Sequence, residues 1–299
     1  MELYLKERNN SKMDELRFKQ TKKVGILGIC GNIFLLVIKA AVGFVTHSQA
    51  MIADAFNSAS DIFASLMTFL GNKIASVPHD EDHNFGHGKA EYIFSMFIGV
   101  SMILVALKLL YDAIYSLIFG SELIFSWALV VVCVITIVVK LSLFLYANKV
   151  SKDFDNILLK ANVSDHRNDC IVTAFTLIST LLSFKGLLFF DSIVGIGISL
   201  WIGYTGVKIF IESYNVLMDI SIDTETQDTI LGIANKYENI KKVINIYSTP
   251  VGYKYIIFIT IGVDGNLTTF NSHNIADSLE KEIDKLNNVY EAIVHVEPM

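Results

Sequence analysis

The stretch His47–Asp61, HSQAMIADAFNSASD, places Asp54, Asn57 and Asp61 inside an apolar run over residues 48–75. That run exceeds the ~20 residues that carry a helix across a bilayer. Ionisable groups within such a span are costly and usually mark a functional path. Residues four apart share a helix face. Asn57 and Asp61 therefore point one way together, and Asp54 lies off that face. Asp165 and Asp169 repeat the spacing inside a second apolar run, over 156–183. If the two faces meet, they form a pocket of three carboxylates and one amide oxygen.

The rest of the chain agrees with a membrane setting. Only 18% of its 299 residues are charged, 53% are hydrophobic, and the mean hydropathy is +0.49. Soluble chains carry roughly 25% charged residues. This excludes a disordered chain and argues against an ordinary soluble enzyme. The net charge of -6 argues against a general nucleic-acid binder. Cys30, Cys133 and Cys170 lie far apart in apolar segments and read as buried small residues, not as disulfides or a thiolate site. The first 23 residues are polar and charged, so no cleavable signal peptide is expected.

Apolar runs predict six membrane-spanning helices, at about 24–46, 48–75, 90–118, 123–148, 156–183 and 187–214. Lys and Arg concentrate in the N-terminal segment and in the loops after the second and fourth spans. That asymmetry predicts a multi-pass protein of the cell membrane with both termini cytoplasmic. From about residue 216 the pattern changes. A helix at 223–237, strands at 241–248 and 253–263 around Pro250 and Gly252, a helix at 270–286 and a strand at 290–297 give the order α-β-β-α-β. The predicted fold class is an all-α six-helix transmembrane domain followed by a small cytoplasmic α+β domain, ferredoxin-like in order. The predicted divisions are 1–23, a cytoplasmic segment; 24–215, the six-span transmembrane domain; and 216–299, a soluble cytoplasmic domain.

Three neighbouring carboxylates repel one another and need a cation or protons. An all-oxygen pocket of that charge suits a hard divalent cation such as Mn²⁺ or Mg²⁺, whereas zinc usually takes nitrogen or sulfur. The competing account of these acids is that they cap helix ends or sit at the interface. A second cluster follows the second span, where Asp80, His83 and His87 offer mixed nitrogen and oxygen ligands. A solvated acidic loop with incidental histidines is the alternative reading.

The run His47–Asp61, the loop His83-Asn84-Phe85-Gly86-His87-Gly88-Lys89-Ala90-Glu91 and the run Asp165-His166-Arg167-Asn168-Asp169 resemble three signatures of the cation diffusion facilitator family. The resemblance covers nearly the whole chain. It implies a homodimer in membrane lipid that exports divalent metal ions from the cytosol in exchange for protons by alternating access, with no resident cofactor. It places the transport site at Asn57, Asp61, Asp165 and Asp169. Zinc-transporting members carry His or Asp at the position of Asn57 and His at that of Asp165, so this set resembles the manganese branch. The resemblance further implies a loop metal site at Asp80, His83 and His87. It also implies a charge pair, Lys89 with Asp219, that ties the dimer together. His273, His295 and Glu297 match part of a C-terminal metal site. Asn245, and Ile259 or Thr260, replace histidines there, so at most a single weak site is expected.

The expected function is Mn²⁺ efflux coupled to protons, with the carboxylates themselves taking up protons in the absence of a site histidine. The alternatives are the same fold exporting Fe²⁺ or Zn²⁺, and a membrane metal sensor without transport. A membrane metallohydrolase lacks a recognisable nucleophile or base in the sequence.

Overall fold

The computed structural model describes residues 2–46, 49–119, 127–154, 156–183 and 189–299. Within them, the side chains of Asp54 and Asn57 lie outside the described residues. The chain divides into two compact units, one of residues 1–76 and 90–213, the other of residues 77–89 and 214–299.

The first unit is helical. Its elements are α1 (Glu2–Thr46), α2 (Gln49–Ala75), α3 (Ala90–Phe119), α4 (Trp127–Asp153), α5 (Ile157–Ser183) and α6 (Phe189–Leu217), whose last turn belongs to the second unit. All six predicted helices are present. The expected division at residue 23 falls inside α1, which runs unbroken. Arg17 and Thr21, expected in a separate polar segment, are buried within the helical unit.

Three stretches among the described residues are long and apolar enough to cross a membrane: Glu15–Val42, Ala90–Phe119 and Val130–Asp153. Helices α2 and α5 are more polar because they carry the acids singled out above. The unit exposes large apolar side chains such as Leu104, Leu107 and Leu200. It buries small and polar ones, and a helical bundle facing lipid tails requires that arrangement. At the α3–α6 crossing, a Cβ built on Gly99 would lie 3.0 Å from the Gly206 carbonyl oxygen, so the two backbones can approach only as glycines.

The second unit has the order predicted. Its elements are α7 (Thr224–Ala234), β1 (Ile240–Val251), β2 (Lys254–Val263), α8 (Thr269–Ile283) and β3 (Val289–Pro298). β1 and β2 form a hairpin that closes at Val251 and Lys254, where Gly252 adopts φ 62°. β3 pairs parallel to β2 after the α8 crossover, giving the sheet order β1-β2-β3. The Asp223 carboxylate caps α7 by accepting from the Thr226 backbone N–H at 2.8 Å. Ile257, Ile259 and Ile261 of β2 pack with Ile230, Leu279 and Ile283 of the helices as an ordinary apolar core.

Candidate metal centre

Helices α2 and α5 each deliver an aspartate to one buried ammonium on α4. Lys140 Nζ lies 2.7 Å from Asp61 Oδ2 and 2.5 Å from Asp169 Oδ2, and the Lys140 side chain is 1% exposed. Asp165, one turn before Asp169, keeps its Oδ2 buried without a hydrogen-bond partner among the described residues. Ligand atoms of Asp165, His166 and Asp169 all lie within 4.8 Å of one another. The structure therefore gathers Asp61, Asp165 and Asp169, while the Asn57 side chain lies outside the described residues.

Two residues of this centre escaped the sequence reading. Lys140 supplies the cation that crowded carboxylates require. One ammonium against three carboxylates leaves an excess of two negative charges when all are ionised. The signal was available, because a lysine in the run ITIVVKLSLF violates the membrane rule as plainly as an aspartate does. Lys39 of α1 sends the same signal, and it donates to Ser58 Oγ at 3.0 Å on α2. The second omission is His166, fully buried with both ring nitrogens free of hydrogen bonds among the described residues. Its presence corrects the expectation of a centre without histidine. It neighbours Asp165 in sequence, and its ring still comes within 4.8 Å of the Asp165 and Asp169 ligand atoms.

A polar network joins α1, α3 and α5 away from these acids. Arg17 Nη2 donates to Glu91 Oε2 at 2.5 Å, and Asn156 Nδ2 donates to Glu91 Oε1 at 3.1 Å. Asn156 Oδ1 accepts from the Leu158 backbone N–H at 2.8 Å and so caps α5. Glu91, the last residue of the loop signature, is thus a buried acid with partners.

The second unit carries the loop cluster. Asp80 Oδ1 accepts from the backbone N–H groups of His83 at 2.7 Å and Asp82 at 3.1 Å. Asp80 Oδ1 lies 3.2 Å from His83 Nδ1, and Asp80 Oδ2 lies 3.5 Å from His87 Nε2. The His83 backbone bond is the main cause that holds the Asp80 carboxyl below its ordinary value. Ligand atoms of all three residues lie within 4.8 Å, at an exposed position. Glycine sets this geometry. Gly86 has φ 75°, and a Cβ on Gly88 would sit 2.8 Å from Gly252 Cα of the hairpin turn. The loop is packed on the hairpin at backbone distance, and the ring of Phe85 meets Tyr290 edge-on at 6.4 Å.

The expected charge pair forms within this unit of a single chain. Lys89 Nζ lies 2.9 Å from Asp219 Oδ1, which also accepts from Thr249 Oγ1 at 2.6 Å. Asp219 has φ 56° and follows α6. The Ile220 N–H reaches the Asn215 carbonyl, and the Asp219 N–H reaches the Val216 carbonyl. This is a left-handed helix stop at a position usually filled by glycine.

His273 lies exposed on α8, and His295 and Glu297 lie exposed on β3, opposite Thr260 and Gly262. Among the described residues, the chain gathers three or more His, Cys, Asp or Glu ligand atoms at the buried centre and at the loop only. The expected C-terminal site is not assembled by one chain.

An acid cluster buried in a lipid-facing helical bundle, followed by a capped α-β-β-α-β domain, defines a membrane transporter of cations. Residues 25–218 match the cation efflux transmembrane domain, and residues 222–299 match the dimerisation-domain model described as the cation efflux protein cytoplasmic domain. The chain belongs to the cation efflux family, the cation diffusion facilitators. It is 30% identical over 279 residues to an uncharacterized transporter of Methanocaldococcus jannaschii, covering 93% of this chain and 99% of that one. It is 28% identical over 286 residues to the manganese efflux system protein MneP of Bacillus subtilis, covering 93% and 96%. The magnetosome protein MamM of Magnetospirillum gryphiswaldense is 28% identical over 269 residues, covering 88% and 83%. Among solved structures, the metal-bound C-terminal domain of the CzcD transporter from Thermotoga maritima matches at 27% identity with a TM-score of 0.24, covering 25% of this chain and 87% of that one.

Proposed function

We propose that this protein exports Mn²⁺ from the cytosol in exchange for protons, as a homodimer of the cell membrane with both termini cytoplasmic. The observation that carries the reading is the meeting of Asp61 of α2 with Asp169 of α5 on one buried ammonium, beside an Asp165 oxygen without a partner among the described residues. Such a cluster is expensive in an apolar bundle unless it handles charge. Asn57 completes the cargo site by sharing the helix face of Asp61. Cargo binds as a hard divalent cation to hard oxygens, and neutralising the acids permits the bundle to close on one side and open on the other. The protons that replace it are held at the aspartate oxygens. The two-unit division at 76–90 and 213–214 supports a transport domain and a separate cytoplasmic domain that dimerises. The naming of a 28% identical relative as a manganese efflux protein supports the choice of metal.

A second reading, Zn²⁺ or Fe²⁺ as cargo, is favoured by His166, since a buried imidazole with unengaged nitrogens beside Asp165 and Asp169 offers the nitrogen ligand those ions accept. A competition assay separates the two. Purified protein in liposomes under an imposed proton gradient receives Mn²⁺, Fe²⁺ and Zn²⁺ together. Preferential Mn²⁺ uptake that collapses with the gradient is the expected result. Zn²⁺ preference selects the second reading, and uptake indifferent to the gradient defeats proton exchange.

A further inference from the structure

We infer that Lys140 is a tethered competitor for the cargo site, an ammonium built into the protein that the metal must displace. The inference rests on the proposed transport of a divalent cation through Asp61, Asp165 and Asp169. Lys140 bridges the two helices carrying those acids, with its ammonium between Asp61 Oδ2 and Asp169 Oδ2. A divalent ion takes carboxylate oxygens at roughly 2.0–2.6 Å. An ion that bridges the same two oxygens would occupy the place where the ammonium stands, so the two cations exclude each other there.

The surroundings provide both steps of an exchange. Asp165 Oδ2 is buried, adjacent and without a hydrogen-bond partner among the described residues, so an arriving ion has an oxygen to bind before Lys140 leaves. Helical side chains lean toward the N-terminus of their helix. One turn in that direction on α4, Thr136 is buried with its hydroxyl oxygen unpartnered among the described residues. That oxygen is an acceptor for a displaced ammonium, whose flexible four-carbon stem allows the move. Lys140 thereby holds the acids together between cargoes, and its return helps to expel the ion.

A competitor engaged for about nine-tenths of the time lowers apparent cargo affinity about tenfold. The test uses the full-length dimer in nanodiscs for Mn²⁺ binding by calorimetry and in liposomes for uptake. The component of the binding isotherm lost in Asp169→Asn defines the transport site. Lys140→Met should tighten that component about tenfold and lower uptake at saturating Mn²⁺ by a similar factor. Lys140→Arg, which keeps the charge and adds donors, should weaken binding. A purely structural lysine moves affinity the other way in Lys140→Met, because loosened acids bind less well. If Lys140→Met fails to assemble, Lys140→Gln carries the same expectation, since its amide still donates to both carboxylates. Unchanged or weaker binding in an assembled neutral variant overturns the inference. Wild-type preference for Zn²⁺ over Mn²⁺ would defeat the manganese reading alone, and the same comparison is then made with Zn²⁺. Absence of any divalent uptake by the wild type overturns both.

Discussion

The two units of this chain answer to opposite solvents. The helical unit buries Lys39, Asp61, Asn162, His166 and Lys140 and exposes Leu104, Leu107 and Leu200. The C-terminal unit buries Ile257, Ile261, Leu279 and Ile283 and exposes His273, His295 and Glu297. Their two ligand clusters differ in the same way. The helical one is mostly buried, with Asp165 and Asp169 half-buried, and is already balanced in part by an ammonium. The loop one is open to water, with Asp80 engaged mainly by backbone N–H groups. Residue type alone does not rank them. In a low-dielectric interior every added or removed charge must be matched, whereas water screens the exposed cluster.

The sharpest attempt to break this contrast removes one acid from each cluster. Asp61→Ala and Asp169→Ala should each reduce metal uptake at least about a hundredfold, because a buried ligand has no inexpensive substitute. The protein should stay folded, since Lys140 keeps one carboxylate partner in either variant. Asp80→Ala should cost far less. Liposome uptake checks all three, and near-wild-type flux in Asp61→Ala or Asp169→Ala would remove these residues from the cargo site.

Selectivity gives the next largest effect. Asp165→His should shift preference toward Zn²⁺ by about tenfold, since imidazole nitrogen suits zinc and a hard anionic oxygen is lost to Mn²⁺. The change also leaves one ammonium facing two carboxylates, so total flux should fall. Asn57→Asp in the same protein restores the charge and should recover part of the flux. An unchanged Mn²⁺/Zn²⁺ ratio in both variants, measured by competitive uptake, would place selectivity outside these positions.

Six helices and the α-β-β-α-β order were legible because hydrophobic run length and strand alternation are local signals. The four-residue spacing of Asp165 and Asp169 was legible for the same reason. Lys140 and His166 were not drawn into the centre, because which faces of α4 and α5 meet is a tertiary fact. Lys140 marks α4 as unusual for a membrane span, but it does not name the helices that its face meets. The packing of residues 77–89 on the hairpin turn was equally out of reach. Gly86 and Gly88 stand in the loop signature, yet nothing in the sequence names Gly252 as the partner.

A charge swap probes the C-terminal unit with a moderate effect. Lys89→Asp should reduce uptake severalfold, and Lys89→Asp with Asp219→Lys should recover part of it. A double variant no better than the single one would show that the pair is not coupled. Recovery is expected to be incomplete, because Asp219 also serves Thr249.

The smallest effect is the most diagnostic of what Asp219 does. Its backbone is left-handed, at φ 56°, a conformation that costs a residue with a Cβ about 1 kcal/mol and glycine almost nothing. Its side chain is half exposed, and an exposed ion pair contributes roughly 0.2–1 kcal/mol. Asp219→Gly relieves the first and loses the second, so the melting temperature of the full dimer should change by no more than about 2–4 °C. Uptake should still fall if the carboxylate, and not the helix stop, is what the position supplies. pH adds a second arm through Asp219→Asn. The Thr249 hydroxyl, and then Lys89, hold the Asp219 carboxyl below its ordinary value. A depressed carboxyl contributes fully above its unfolded value of about 4 and loses that contribution as pH falls through the lower folded one. The stability difference between wild type and Asp219→Asn should therefore be flat from pH 8 to about pH 5 and shrink only below about pH 4. A difference that already declines between pH 7 and 5 would assign the effect to another group. A large loss of melting temperature in Asp219→Gly would make the residue a structural anchor of the loop against the sheet.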